Sequence, residues 1–275
     1  DCPVPVAVSR SYNTWLAVRF WSLHMAALSV LFLPVHGYAI AWCVGGYLVR
    51  MFGVTAGYHR YFSHRSYKLG RVAQFLMAVL AQTSGQKGVL WWAAHHRDHH
   101  RHSDTPRDLH SPREGFWWAH VGWILSTEHD HYDAARVADF GRFAELRWLD
   151  RHHWVPMVGY GAGVWILGGP IAFAWGFVVS TVVLYHATFA INSLAHVWGT
   201  RTFDTEDDSR NNFVLALFTL GEGWHNNHHY CRSSCRQGVE WWQIDITYLV
   251  LRGLAAAGVV HDLRPFVLRT ERGAA

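Results

Sequence analysis

The chain has 275 residues, 51% of them apolar and 15% aromatic, with 24 basic and 20 acidic side chains for a formal charge of +4. So apolar a chain with a mean hydropathy near zero must keep its apolar and polar stretches apart, which points to membrane spans joined to a hydrophilic part. Four cysteines with no Cys-x-x-Cys spacing imply no disulfide framework, and the basic excess points to nucleic acid or an anionic surface until its placement is known.

Residues 1–14 read as a polar tail with two prolines. The run from Trp15 to Leu33 is apolar for about the 20 residues a bilayer requires, broken by His24 and by Arg19, which can snorkel to the interface from near the helix end. An uncharged turn, 34–37, leads to a second apolar helix, Tyr38 to Tyr58, that delivers His59. If Arg50 marks its exit from the membrane, the helix carries His59 beyond the lipid. Residues 59–154 contain no span: Val72 to Val89 is amphipathic and interfacial, interrupted by Gln74, Gln82, Gln86 and Lys87, and Thr105 to Gly115 is loop. Trp154 to Trp175 and Phe177 to Ile191 form a second apolar pair around Gly168-Gly169-Pro170, ending at Asn192 and His196. The stretch Trp241 to Val260 carries Asp245 and Arg252 and is expected to pack on the polar part rather than cross.

The short turns 34–37 and 168–170 hold no Lys or Arg, whereas 59–154 and 199–275 hold nearly all of them. The positive-inside rule then puts both long segments in the cytoplasm. Basic residues that flank membrane ends do not make a nucleic-acid stripe, so no nucleic-acid partner is expected.

The chemistry lies in the histidines. His95, His96, His99, His100 and His102 fall within eight residues, and His96, His99 and His100 stand at i, i+3 and i+4, so on a helix three imidazoles share a face and converge on a metal. His225, His228 and His229 repeat that spacing, and His59 and His64 form a third cluster. Eight clustered imidazoles are about twice one metal's need, and His196, one turn after Asn192, adds a ninth; two metals are the economical reading.

The clusters H-x4-H at His59–His64 and H-x2-HH at His96–His100 and His225–His229, with Asn192-Ser-x-x-His196 between them, resemble the histidine boxes of the integral-membrane fatty acyl desaturases, most of all the acyl-CoA delta-9 (stearoyl-CoA) group. Thr55-Ala56-Gly57-x-His59-Arg60, Ser63-His64-Arg65-Ser66-Tyr67, Gly115-Phe116-x-x-x-His120-Val121-Gly122-Trp123 and Gly221-Glu222-Gly223-x-His225-Asn226 extend the resemblance over residues 12–266 or so. It implies an all-α integral membrane protein, one desaturase domain over 1–275. Four transmembrane helices in two hairpins, at about 15–33, 38–58, 154–175 and 177–196, would carry a cytosolic helical cap, 59–153 and 197–275, holding a histidine-rich di-iron site. Two iron ions would be held by His59, His64, His96, His99, His100, His196, His225, His228 and His229, with Asn192 acting through water. His95, His102 and His120 are neighbours of the site. Gln86, Trp92 and Thr188 match positions that line the bend of the acyl tunnel, and Tyr47, one turn from Cys43, is a candidate stop for the chain end.

The activity so implied is oxygen-dependent insertion of a cis double bond, delta-9 in type, into a saturated long-chain acyl group. The carrier is foremost CoA, with acyl carrier protein or a membrane lipid as the other carriers, because Lys87, Gly88 and Trp91 depart from the acidic and Asn residues of eukaryotic members. An alkyl C–H is beyond any side-chain base, so the metals carry the difficulty and the protein supplies position. Two external electrons must come from a separate donor of ferredoxin or cytochrome b5 type with its reductase. The alternatives are a membrane di-iron hydroxylase and, from another class, a non-catalytic membrane metal-binding protein.

Overall fold

Asn13 opens the first helix, its side-chain oxygen accepting the Leu16 N–H at 3.1 Å. The computed structural model describes residues 10–268, so most of the polar tail, Cys2 included, lies outside the described residues. Helix α1 (Thr14–Ala27) tightens into a 3₁₀ turn over Leu28–Phe32, and the two make an apolar stretch of 19 residues in which only Phe20 is buried and most others are exposed. An outward-facing apolar helix of that length suits lipid better than a protein core.

Helix α2 (Gly37–Phe52) continues without interruption as wider π-helical turns over Gly53–Ser63, 27 residues in all. Every residue of the wide part is buried. Small residues allow this: a Cβ on Gly57 would come within 3.1 Å of the Ala81 Cβ. Such turns recur at functional sites because they re-aim the side chains that follow, and here they carry His59 and present His64. Arg50 does not mark an exit to water. It is fully buried, donating to the Gly46 carbonyl at 3.0 Å and to the Thr181 hydroxyl at 2.6 Å, with the Tyr160 ring 4.5 Å from its guanidinium.

Residues 72–89 are not one continuous amphipathic stretch: a helix ends at Gln82 and the chain turns before the next helix opens at Val89. Helix α3 (Arg71–Gln82) exposes Val72 and Leu76 and packs Met77, Ala78 and Ala81 on the wide turns. The chain then turns through Gly85 and Lys87, with φ of 73° and 65°, into α4 (Val89–His102). Gln74 and Gln82 are buried partners: Gln74 accepts from the Tyr61 hydroxyl at 2.9 Å, and Gln82 donates to the Leu149 carbonyl at 3.0 Å. The start of α4 is fixed by Asp150, at the end of α5 (Ala144–Arg151), whose carboxylate accepts the Leu90 and Trp91 N–H groups at 2.9 and 3.0 Å. A Cβ on Gly88 would overlap that carboxylate.

The second apolar region is one helical run of 44 residues, Trp154–Val197, containing α6 (Trp154–Ala172) and α7 (Ser180–Asn192). It is broken at Gly169, where φ is 70° and ψ is −167°, followed by Pro170, which is the turn expected at 168–170, so the first arm ends short of the limit of 175 given above. The arms touch, the Tyr160 hydroxyl donating to the Gly176 carbonyl at 2.9 Å. Among the described residues, three stretches are long and apolar enough to cross a bilayer: Thr14–Phe32, Gly37–Ser63 and Trp154–Val197.

The polar remainder closes over the wide end of α2. It contains α8 (Phe213–Phe218), α9 (His225–Tyr230) and α10 (Ile246–Ala256), with one two-residue antiparallel pairing of Lys68–Leu69 and Val260–His261. At 11 residues α10 is too short to cross a bilayer, and Thr55 and Thr247, hydroxyls 2.8 Å apart, tie it to the wide turns. Tyr58, Phe62, Leu146 and Leu149 form the core between α4, α5 and those turns.

Candidate metal centre

Four parts of the chain converge. His59 lies on the wide turns and His64 just beyond them, α4 carries His96, His99 and His100, His196 follows α7, and α9 carries His225, His228 and His229. They form two groups able to hold a metal ion, in each of which the ligand atoms lie within 4.8 Å of one another. One is His59, His64, His96, His100 and His228; the other is His99, His196, His225 and His229. In the first, Nε2 atoms face each other at 2.9–3.1 Å in series: His59 to His228, His228 to His100, His100 to His96, His96 to His64. In the second, His196 and His225 approach Nε2 to Nε2 at 3.0 Å.

The three imidazoles of a cluster therefore do not converge on one point, contrary to the reading from spacing. His96 and His100, at i and i+4, enter the first group and His99, at i+3, the second; in α9, His225 and His229 enter the second and His228 the first. Adjacent residues on a helix diverge by about 100°, so each His-His pair straddles the two groups and holds them side by side. The His100 and His229 ring centres are 4.5 Å apart.

Carboxylates behind the rings set their direction. Asp108 accepts from His99 Nδ1 at 2.9 Å, Asp104 from His196 Nδ1 at 2.8 Å, and Asp207 from His229 Nδ1 at 2.7 Å; Glu222 pairs with His59 Nδ1. With Nδ1 carrying the hydrogen, Nε2 of each points its lone pair inward, the arrangement that fixes tautomer and ring in a ligating histidine. Burial opposes the charge on Asp104, Asp108 and Asp207, but their imidazole partners and backbone donors hold them below the usual carboxylate range. Glu222 is treated likewise by His59 and Arg60 and falls to about 2. Burial, reinforced by neighbouring imidazoles, keeps His64, His96, His100, His225 and His228 well below the ordinary histidine range, hence neutral and able to ligate.

These features fit two divalent cations. His229 Nε2 is buried without a partner although its Nδ1 is bonded, so a lone pair faces inward with no donor to meet it. Facing Nε2 atoms at hydrogen-bond distance along this chain of five imidazoles likewise leave lone pairs that a metal would satisfy. The Arg60 guanidinium is shared by Asp245 and Glu222. If Asp245 answers its charge, Glu222 with Asp104, Asp108 and Asp207 leaves four negative charges, the sum that two divalent ions neutralise.

Other site residues fall around one cavity of about 310 Å³. Gln86, Trp92, Thr188, Asn192 and His96 line it, and Gln86 donates to the Thr188 hydroxyl at 3.0 Å. Tyr47 and Cys43 are not among its lining residues; the Tyr47 hydroxyl is bonded to the Phe218 carbonyl, tying α2 to α8. His95, bonded to the Trp91 carbonyl at 2.9 Å, and His120, bonded to Ser193 and His186, join neither histidine group. The four carboxylates were not among the residues singled out by sequence. Their signals are faint: Asp104 and Asp108 stand four and eight residues after His100, Glu222 precedes His225 by three, and Asp207 sits in a polar run.

Two histidine nests able to hold metal ions, carried with apolar helices long enough to span a bilayer and reached by a largely apolar cavity at His96, define the class as a membrane protein with a candidate metal centre. The fatty acid desaturase family model matches residues 36–264, and the chain belongs to that family. It is 40% identical over 221 residues, 79% of this chain and 72% of the relative, to "Delta-9 acyl-lipid desaturase 2" of Arabidopsis thaliana. It is 35% identical over 255 residues to "Icosanoyl-CoA 5-desaturase" of Limnanthes douglasii, covering 90% and 71% of the two chains. With "sn-1 stearoyl-lipid 9-desaturase" of Anabaena variabilis it shares 32% identity over 258 residues, 91% and 93% of the two chains.

Proposed function

We propose that the protein inserts a cis double bond, delta-9 in position, into a saturated long-chain acyl group, using molecular oxygen and two electrons from a separate donor of ferredoxin or cytochrome b5 type. The observation that carries this is that His96 belongs both to the cavity wall and to the first nest: an alkyl chain laid in the cavity ends its path beside the imidazoles. One iron would sit among His59, His64, His96, His100 and His228, the other among His99, His196, His225 and His229 with Asn192 beside them. Bound iron would supply the oxygen activation that breaking an unactivated C–H bond requires. The chain's own residues supply position. Phe20, Phe189 and Met157 exclude water and hold a flexible chain by contact, and the Gln86–Thr188 hydrogen bond makes a polar point in the wall against which the chain must bend. Trp92, stacked between Tyr58 and His96 with ring centres 5.3 and 4.9 Å away, fixes the wall nearest the imidazoles.

The break at Gly169 supports two crossings in the run Trp154–Val197, hence four spans in two hairpins. The basic content of the polar segments supports a cap in the cytoplasm, all within one domain. The relatives carry acyl-CoA and acyl-lipid names alike, so kinship leaves the acyl carrier open.

The test is gas chromatography–mass spectrometry of fatty acids from a host lacking its own desaturase, with this chain and with His100→Ala. A new cis-9 monounsaturated acid that vanishes in the variant is expected. A hydroxylated acid in its place would overturn the reading in favour of an oxygenase.

A further inference from the structure

The cavity wall is lopsided in its exposure. Of all its lining residues only Arg19 and Trp154 are exposed; the others are half-buried or buried. The mouth therefore lies between these two side chains, Arg19 in the second turn of the apolar stretch Thr14–Phe32 and Trp154 at the start of Trp154–Val197. Both ends adjoin the polar part of the protein, since Asn13 donates through its backbone to the Leu125 carbonyl at 2.8 Å and His153 lies close to Lys87 and Asp150. A Trp and an Arg at that level are the side chains that seek the headgroup layer of a bilayer. The opening thus lies at the level where the apolar helices meet the polar part, within reach of a lipid headgroup.

The charges at this mouth are few and mostly committed. Lys87 is paired with Asp130 at 3.0 Å and lies over the Trp91 ring. Asp150 is occupied by two backbone N–H groups and the Tyr132 hydroxyl. His153 is held below the ordinary histidine range by burial and by Lys87, and so is neutral. Arg19 has no hydrogen-bond or ion-pair partner among the described residues.

Resting on the desaturase reading, we infer that the acyl chain arrives on a glycerophospholipid drawn from the leaflet, and that Arg19 selects it by binding its phosphodiester at the mouth between α1 and α6. One unpaired guanidinium matches one phosphodiester charge and can grip two of its oxygens. Coenzyme A brings three phosphate groups, and a single unpaired guanidinium in the cavity wall, with Lys87 already paired to Asp130, does not match that charge. With the phosphate at Arg19, the acyl chain runs past Phe20 and Met157 toward Gln86, Thr188 and His96.

The test is photolabelling in nanodiscs with a phosphatidylglycerol whose stearoyl chain carries a diazirine, adducts being mapped by mass spectrometry. Adducts are expected at Leu16, Phe20, Leu23 or Met157, falling about tenfold in Arg19→Gln and on a diacylglycerol probe, retained within about threefold in Arg19→Lys, and undisturbed by equimolar stearoyl-CoA. In the iron-loaded protein supplied with a donor, unsaturation is expected in the phospholipid fraction. Labelling unaffected by Arg19→Gln, displacement of the probe by stearoyl-CoA, or unsaturation in the CoA fraction alone would overturn the inference and leave the desaturase reading intact. Arg19-dependent labelling with no unsaturation in either fraction would uphold the mouth and sink the reaction.

Discussion

Asp104→Asn separates the two metal nests. The Asp104 carboxylate accepts from His196 Nδ1 at 2.8 Å, from the Ser111 hydroxyl at 3.0 Å and from the Asp208 N–H at 2.9 Å, with its side chain 1% exposed. The amide keeps one accepting oxygen but turns an NH2 group toward a donor and removes the charge that orients His196. His196 belongs only to the nest with His99, His225 and His229, so the loss should be confined there. Removing such a supporting carboxylate typically weakens a metal site about 10–100-fold, roughly 1.4–2.7 kcal/mol. The assay is metal content by mass spectrometry after dialysis against a graded chelator. Wild type should release its two metals together at high chelator; Asp104→Asn should pass through a plateau of one metal per chain. Release of both metals at the same lowered chelator concentration, or an unaltered profile, would refute the assignment of His196 to one nest.

Acid should destabilise the fold early. His64, His96, His100, His225 and His228 titrate in the fold well below the 6.5 or so of the unfolded chain, so below about pH 6.5 the unfolded state binds more protons. The stability these groups contribute is full above that pH. It is lost as the pH falls, at about 1.4 kcal/mol per pH unit for each imidazole still neutral in the fold; a metal-free denaturation midpoint flat from pH 7 to 5 would contradict this. Gly88→Ala should cost about 1–3 kcal/mol, because its Cβ would overlap the Asp150 carboxylate that caps α4, and the thermal midpoint would report it. Thr188→Val removes the acceptor of the Gln86 bond and should move the double bond along the chain, read from the mapped product; an unchanged position would exclude this pair from register. Tyr47→Ala should leave chain-length preference as it is, and a shift to longer chains would restore the role its sequence position suggested.

The histidines were legible because imidazole at i, i+3, i+4 has few other uses, and all nine fall in the two nests. Their partition was not legible. Spacing shows which side chains lie near one helix face but not that two centres divide them, and the rings of His59, His99, His196 and His229 are turned by Glu222, Asp108, Asp104 and Asp207, single carboxylates with no periodicity to announce them. The break at Gly169 was visible as Gly-Gly-Pro, and the apolar runs as hydropathy. The wide turns over Gly53–Ser63 were not, since a π-helical register depends on how closely Ala81 and Leu80 approach Gly57 and Gly53. Gln74 and Gln82 misled for the same reason: a polar residue on an apolar face reads as exposed until Tyr61 and Leu149 are placed beside it.

The most direct test of the central claim is mass spectrometry of the product formed from oxygen-18 gas by the purified, iron-loaded protein with a supplied electron donor. The account predicts an acyl product two mass units lighter than its substrate, with a cis double bond and no oxygen-18. A product that gains a labelled oxygen atom, with the chain still saturated, would contradict it.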